Sequence, residues 1–106
     1  MAKKITKQIT QEPKKEVITW EDILKLAKEK SYSGLEDIYY IQEWLRKTHG
    51  LHGEIFYSLF HKKWSINNYF INIFRGERIN WDYKPINYDS YDDALLITVY
   101  NLLLCV

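Results

Sequence analysis

The sequence predicts an α+β domain of order ααβββα, a three-stranded antiparallel sheet packed against helices. Three observations carry that expectation. Two stretches before Gly50 and one after Ser90 repeat apolar residues every three or four positions. Between Leu51 and Tyr83 the repeat drops to two, and aromatic and β-branched residues dominate. Three Ser/Thr-x-x-Asp/Glu boxes (Thr19 with Asp22, Ser33 with Glu36, Ser90 with Asp93) stand where helices would open, each placing a side-chain oxygen on a free N–H group.

The first helix starts after Thr19, with Ile18 and Ile23 at staple spacing and an apolar face of Trp20, Ile23, Leu24 and Ala27; Ser31, Ser33 and Gly34 break it near Lys30. The second opens at the Ser33 box. Ile38, Ile41, Leu45 and Thr48 line one side, Tyr40 and Trp44 fall on its shoulder, and Gly50 is the natural stop. Strands are expected over about Leu51–Phe60, Ser65–Arg75 and Arg78–Tyr83, with hairpin turns near Lys62 and Gly76. Asn67 and Asn68 upset the alternation of the second strand and mark a bulge. Lys84 to Asp89 forms a loop containing Pro85, and Ser90 caps the last helix.

That last helix is the most informative element. At 100° per residue Tyr91, Leu95, Val99, Leu102 and Val106 share one stripe, while Leu96, Ile97, Tyr100 and Leu104 gather on nearly the opposite side. One stripe covers the sheet. The other needs a second cover: the Trp20 helix of the same chain, or another molecule.

With 106 residues the chain is sized for one domain, and a domain this small buries only about 60–65% of its unfolded surface. Apolar residues at 46% and aromatics at 16% suffice for a core. Residues 1–16 differ in composition. They hold five lysines (Lys3, Lys4, Lys7, Lys14 and Lys15), two glutamates and no aromatic residue, so they carry +3 and leave −2 on residues 17–106. This predicts a flexible basic arm on a single α+β domain of residues 17–106. A formal net charge of +1 supplies no global field toward nucleic acid or an anionic membrane. The single cysteine, Cys105, excludes an intramolecular disulfide framework and fits a reducing, cytoplasmic compartment. No secretory signal is expected at the N-terminus. The apolar run from Ala94 is interrupted by Thr98 and Asn101 and falls short of the roughly 18–20 residues of a membrane span, so no membrane partner is expected.

Chemistry is poorly represented. His49 ends a helix and His52 starts a strand, and no cysteine or carboxylate cluster completes a zinc set around them. The acidic pairs Glu21/Asp22, Glu36/Asp37 and Asp92/Asp93 each lie in a first helical turn, where carboxylates cap N–H groups and oppose the positive end of the dipole. Four glycines form no phosphate-cradling loop. No catalytic residue, metal or cofactor is expected.

From about Leu35 to Val106 the order of elements resembles, in topology alone, the double-stranded RNA-binding domain. In that family a lysine cluster opens the last helix and grips phosphates. The matching residues here are Asp89, Ser90, Tyr91, Asp92 and Asp93, which would repel them. Lys62 with Lys63 and Arg75 with Arg78 belong to successive hairpins and make no common patch. Phe56, Phe60, Phe70, Phe74 and Trp81 could stack bases on an open sheet face, but core packing is the expected use.

The stretch Trp44-Leu45-Arg46-Lys47-Thr48-His49-Gly50-Leu51-His52, followed by Tyr88-Asp89-Ser90-Tyr91-Asp92-Asp93-Ala94-Leu95, resembles small uncharacterised proteins of anaerobic gut bacteria and their phages or prophages. The resemblance covers about Leu35 to Val106 and implies no activity, only the setting of a phage or mobile-element accessory protein. The first expectation is therefore a non-enzymatic protein-interaction module that binds a protein partner, or itself as a homodimer, through Leu96, Tyr100 and Leu104 with Tyr40 and Trp44. The alternative is a nucleic-acid-binding protein using the lysine arm and the sheet aromatics.

Overall fold

The computed structural model describes residues 17–67, 69–80 and 87–106. The lysine arm, residues 1–16, lies outside the described residues, as does Trp81. The α+β class and the helix-helix-strands-helix order are as the sequence predicts.

Helix α1 (Trp20–Glu29) is opened by the Thr19–Asp22 box, with Asp22 N–H donating to Thr19 Oγ1 and Thr19 N–H donating to the Asp22 carboxylate. Helix α2 (Ile38–His49) begins later than its sequence suggests. Asp37, not Ser33, is the cap: its carboxylate accepts from Tyr39 N–H at 2.8 Å. The reason lies in the preceding turn, where the buried Tyr32 donates its hydroxyl to the Leu35 carbonyl and holds that carbonyl away from a helical ladder. The expected Ser33–Glu36 box is not used, and Glu36 pairs with Lys28 instead. Gly50 ends α2 at φ 69°, a left-handed conformation that costs an L side chain about 1–2 kcal/mol.

The expected three strands are present, the first two each divided in two. The first contributes β1 (Leu51–His52) and β2 (Ile55–Ser58), the second β3 (Lys63–Ile66) and β4 (Tyr69–Asn72), and the third β5 (Glu77–Asn80). A further strand, β6 (Asn87–Tyr88), lies inside what the sequence marks as a loop. Instead of one sheet there are two antiparallel three-stranded sheets, ordered β1-β4-β5 and β2-β3-β6. The break has a register cause. Leu51 pairs with Asn72 and Ile55 with Ile66, so four steps along the first segment match six along the second. The two extra residues fall around Asn67, where the sequence predicts a bulge, and a bulge bends a sheet.

Helix α3 (Tyr91–Leu104), capped by Ser90 accepting from Asp93 N–H at 3.0 Å, runs through the middle of the molecule. It packs against α1, α2, β2, β3 and β6. Leu95, Val99 and Leu102 of the first stripe are buried as expected, but so are Ala94, Ile97, Thr98, Asn101 and Leu103. A helix with neighbours on every side buries apolar residues all round. Of the two covers open to the second stripe, α1 supplies one: Ile23 and Ala27 are wholly buried and α1 lies along α3.

Candidate interaction surfaces

The residues expected to form an interface are partly covered. Leu96, Tyr100 and Leu104 are half-buried and do not make an open stripe. Trp44 is half-buried too, its ring edge-on to Tyr32 at 5.2 Å and to His49 at 4.8 Å. Tyr40 alone of the five is exposed. The five lysines of the arm lie outside the described residues.

The exposed apolar surface is instead concentrated on the hairpins, whose two turns share one construction. Ser58 and Asn72 end the strands before them. Each carbonyl accepts from the N–H four residues on, Lys62 at 2.7 Å and Gly76 at 2.8 Å. Each side chain accepts from the N–H three residues on, His61 at 3.2 Å and Arg75 at 3.1 Å. The fifth turn position is left-handed in both, Lys62 at φ 55° and Gly76 at φ 65°. The second and third positions hold an aliphatic residue and a phenylalanine: Leu59-Phe60 in one turn, Ile73-Phe74 in the other. A turn of this kind points those two side chains outward.

Their fates differ. The β4–β5 turn is docked: Ile73 N–H donates to the Gly50 carbonyl at 2.6 Å, and the Phe74 ring stands where a Cβ on Gly50 would come within 2.7 Å of it. The β2–β3 turn has no such seat, and Leu59 and Phe60 are 83% and 88% exposed. The Phe60 ring meets the His61 ring edge-on at 4.9 Å. At the base of this hairpin Tyr57, Trp64 and Tyr91 form a chain of edge-on contacts at 5.3 and 5.1 Å that ties β2 and β3 to α3. The hairpin is therefore a rigid stalk with an apolar tip. From Ile55 to Gly76 there is no carboxylate, while Lys62, Lys63 and Arg75 are cationic. Lys63 pairs with Asp89, whose carboxyl is held below its usual range by that hydrogen bond and charge; Lys62 makes no ion pair among the described residues.

Two grooves lined by described residues accompany the tip. One, of about 410 Å³, lies where the amino ends of the helices converge; Trp20, Ile38, Leu95 and Leu96 give it apolar walls and Glu36, Asp37 and Asp92 bring carboxylates. The other, about 320 Å³, sits at the bend between β1 and β2 and includes His52, Glu54, Phe56 and Tyr91. His52 Nε2 is 3.8 Å from Glu54, which also accepts from Asn67. Comparison with protein-family models, with curated proteins and with solved structures finds no match to this chain.

Reactive groups are engaged structurally. Among the described residues no three His, Cys, Asp or Glu side chains stand together to hold a metal ion. Among them, too, no helix is long and apolar enough to cross a membrane. Burial pushes the Cys105 thiol up to about 11, with Lys30 opposing weakly. A thiol so placed is a poor nucleophile at neutral pH. At pH 8, iodoacetamide is expected to modify Cys105 at least about 100-fold more slowly in the folded than in the denatured chain, since two pKa units remove that much thiolate. Because the folded value lies above the unfolded one, the thiol favours the fold below pH 9 and that contribution is lost as pH rises from about 9 to 11. Equal rates in the folded and denatured chains would contradict the burial.

Sequence reading assigned Phe56, Phe60 and Phe74 to the core along with Phe70. Only Phe70 is buried. Turn spacing marks two of them: Ser58 and Asn72 each precede an aliphatic-phenylalanine pair, Leu59-Phe60 and Ile73-Phe74, that sits in a turn, whereas Phe56 is exposed within β2.

Proposed function

We propose that this chain is a non-enzymatic interaction module that docks to protein through the β2–β3 hairpin tip, in the setting of a phage or mobile-element accessory protein. One observation carries the reading. Leu59 and Phe60 are two large apolar side chains held out at the end of a braced hairpin, more exposed than the equivalent pair in the next hairpin, where Phe74 lies over Gly50. Exposing both side chains forgoes several kcal/mol of burial, and a protruding aromatic anchor is the kind of residue that dominates protein interfaces.

Nucleic-acid binding is less well supported. Phe56 and Tyr57 are adjacent in a strand and face opposite sides of the sheet, Tyr57 is engaged by Trp64, and Phe74 covers Gly50, so the aromatics offer no continuous stacking platform.

Photo-cross-linking in producing cells tests the reading. With p-benzoylphenylalanine at position 60, a discrete adduct is expected, and none with the same group at the exposed Glu29. An adduct of twice the chain mass identifies self-association and any other discrete mass a different protein. No adduct at position 60 would sink the reading.

A further inference from the structure

The tip and the larger groove are complementary in shape and in charge, and both belong to this chain. We infer that the partner is a second copy, with the β2–β3 tip of one protomer seated in the groove between the helix amino ends of the other. This rests on the interaction-module reading and names its partner.

The tip is convex and brings Leu59 and Phe60, with Lys62 beside them. The groove is concave, about 410 Å³, with Trp20, Leu95 and Leu96 among its apolar walls. Its charge is opposite. Asp92 makes no ion pair among the described residues, whereas Glu36 is already paired with Lys28 and Asp37 caps α2. Lys62 and Asp92 are thus the charges left for each other. Of the three cations between Ile55 and Gly76, Lys63 is paired with Asp89 and Arg75, in the other hairpin turn, lies beside Glu77, so Lys62 is the charge the tip brings.

When each protomer gives its tip to the other's groove, the two contacts are related by a two-fold axis and form one isologous interface. Two such contacts double the buried area, which a single pair of side chains leaves below the size of a stable interface. Leu96, which the sequence places on the second face of the last helix, then becomes an interface residue as a wall of the groove rather than as part of a helix stripe.

Sedimentation velocity of the full chain up to about 1 mM, where a complex of that Kd is half formed, reads the association directly. The wild type is expected to show a concentration-dependent dimer. Phe60→Asp is expected to abolish it with an unchanged thermal melt, since that side chain is almost wholly exposed. Lys62→Glu and Asp92→Lys are each expected to weaken the dimer by about tenfold, and the double variant, which exchanges the two charges, to recover it. Salt should weaken the wild type and the double variant alike.

A wild type monomeric throughout overturns the inference; if the position-60 cross-link then gives an adduct of another mass, the module reading stands and only the partner is wrong. A dimer that persists in Phe60→Asp, or a double variant no tighter than the singles, also overturns it.

Discussion

Leu103→Ala is expected to destabilise the domain by about 2–5 kcal/mol, read as a lower urea midpoint with little change in slope. Leu103 is wholly buried in the last turns of α3. It belongs to neither of the two stripes that the sequence suggests, so a view of α3 as a two-faced helix would rank it below Leu96 and Leu104. The structure reverses that order. Leu96→Ala and Leu104→Ala, at half-buried positions, are expected to lose less than half as much, because part of the deleted side chain already meets water. If Leu103→Ala were the milder of the three, α3 would not be the centre of the core.

Gly53→Ala is expected to cost about 1–3 kcal/mol although it adds one methyl group. A Cβ at Gly53 would stand 2.9 Å from Thr98 Cγ2 and near the Phe70 ring, both wholly enclosed. Thr98 is a peculiar neighbour: its hydroxyl is buried with no hydrogen-bond partner among the described residues. Thr98→Ala removes the methyl group that would clash and the hydroxyl that lacks a partner. In a double-mutant cycle Gly53→Ala/Thr98→Ala is therefore expected to be more stable than the sum of the single changes by at least about 1 kcal/mol. Additive effects would mean that the bend between β1 and β2 does not rest on Thr98.

These two residues also mark where sequence reading runs out. Caps are local, and two of the three were legible: Thr19 and Ser90 act as their spacing suggests. The third failed because a tertiary contact, Tyr32 on the Leu35 carbonyl, moved the start of α2 to Asp37. The strands were legible from their period and the turns from Lys62 and Gly76, yet the division into two sheets depends on register, which no single strand carries. Helical periodicity was the weakest guide where burial was greatest, since a helix enclosed on every side has no polar face to set a phase. The candidate surface suffered from the same limit in reverse. Alternation assigns Phe56 and Phe60 to strands alike, and only the shared construction of the turns distinguishes a phenylalanine within a strand from one expelled at its end.

The central position of α3 has a consequence for how the molecule is made. Everything that encloses this helix, from α1 to β6, precedes it in the chain. While those segments emerge from the ribosome they have no common surface to collapse upon, and two small sheets with short strands are marginal on their own. The fourteen-residue helix α3 brings eight buried residues of its own. Until α3 is present the strands that pack on it stay uncovered, and a delay in synthesis before it appears would favour aggregation over assembly.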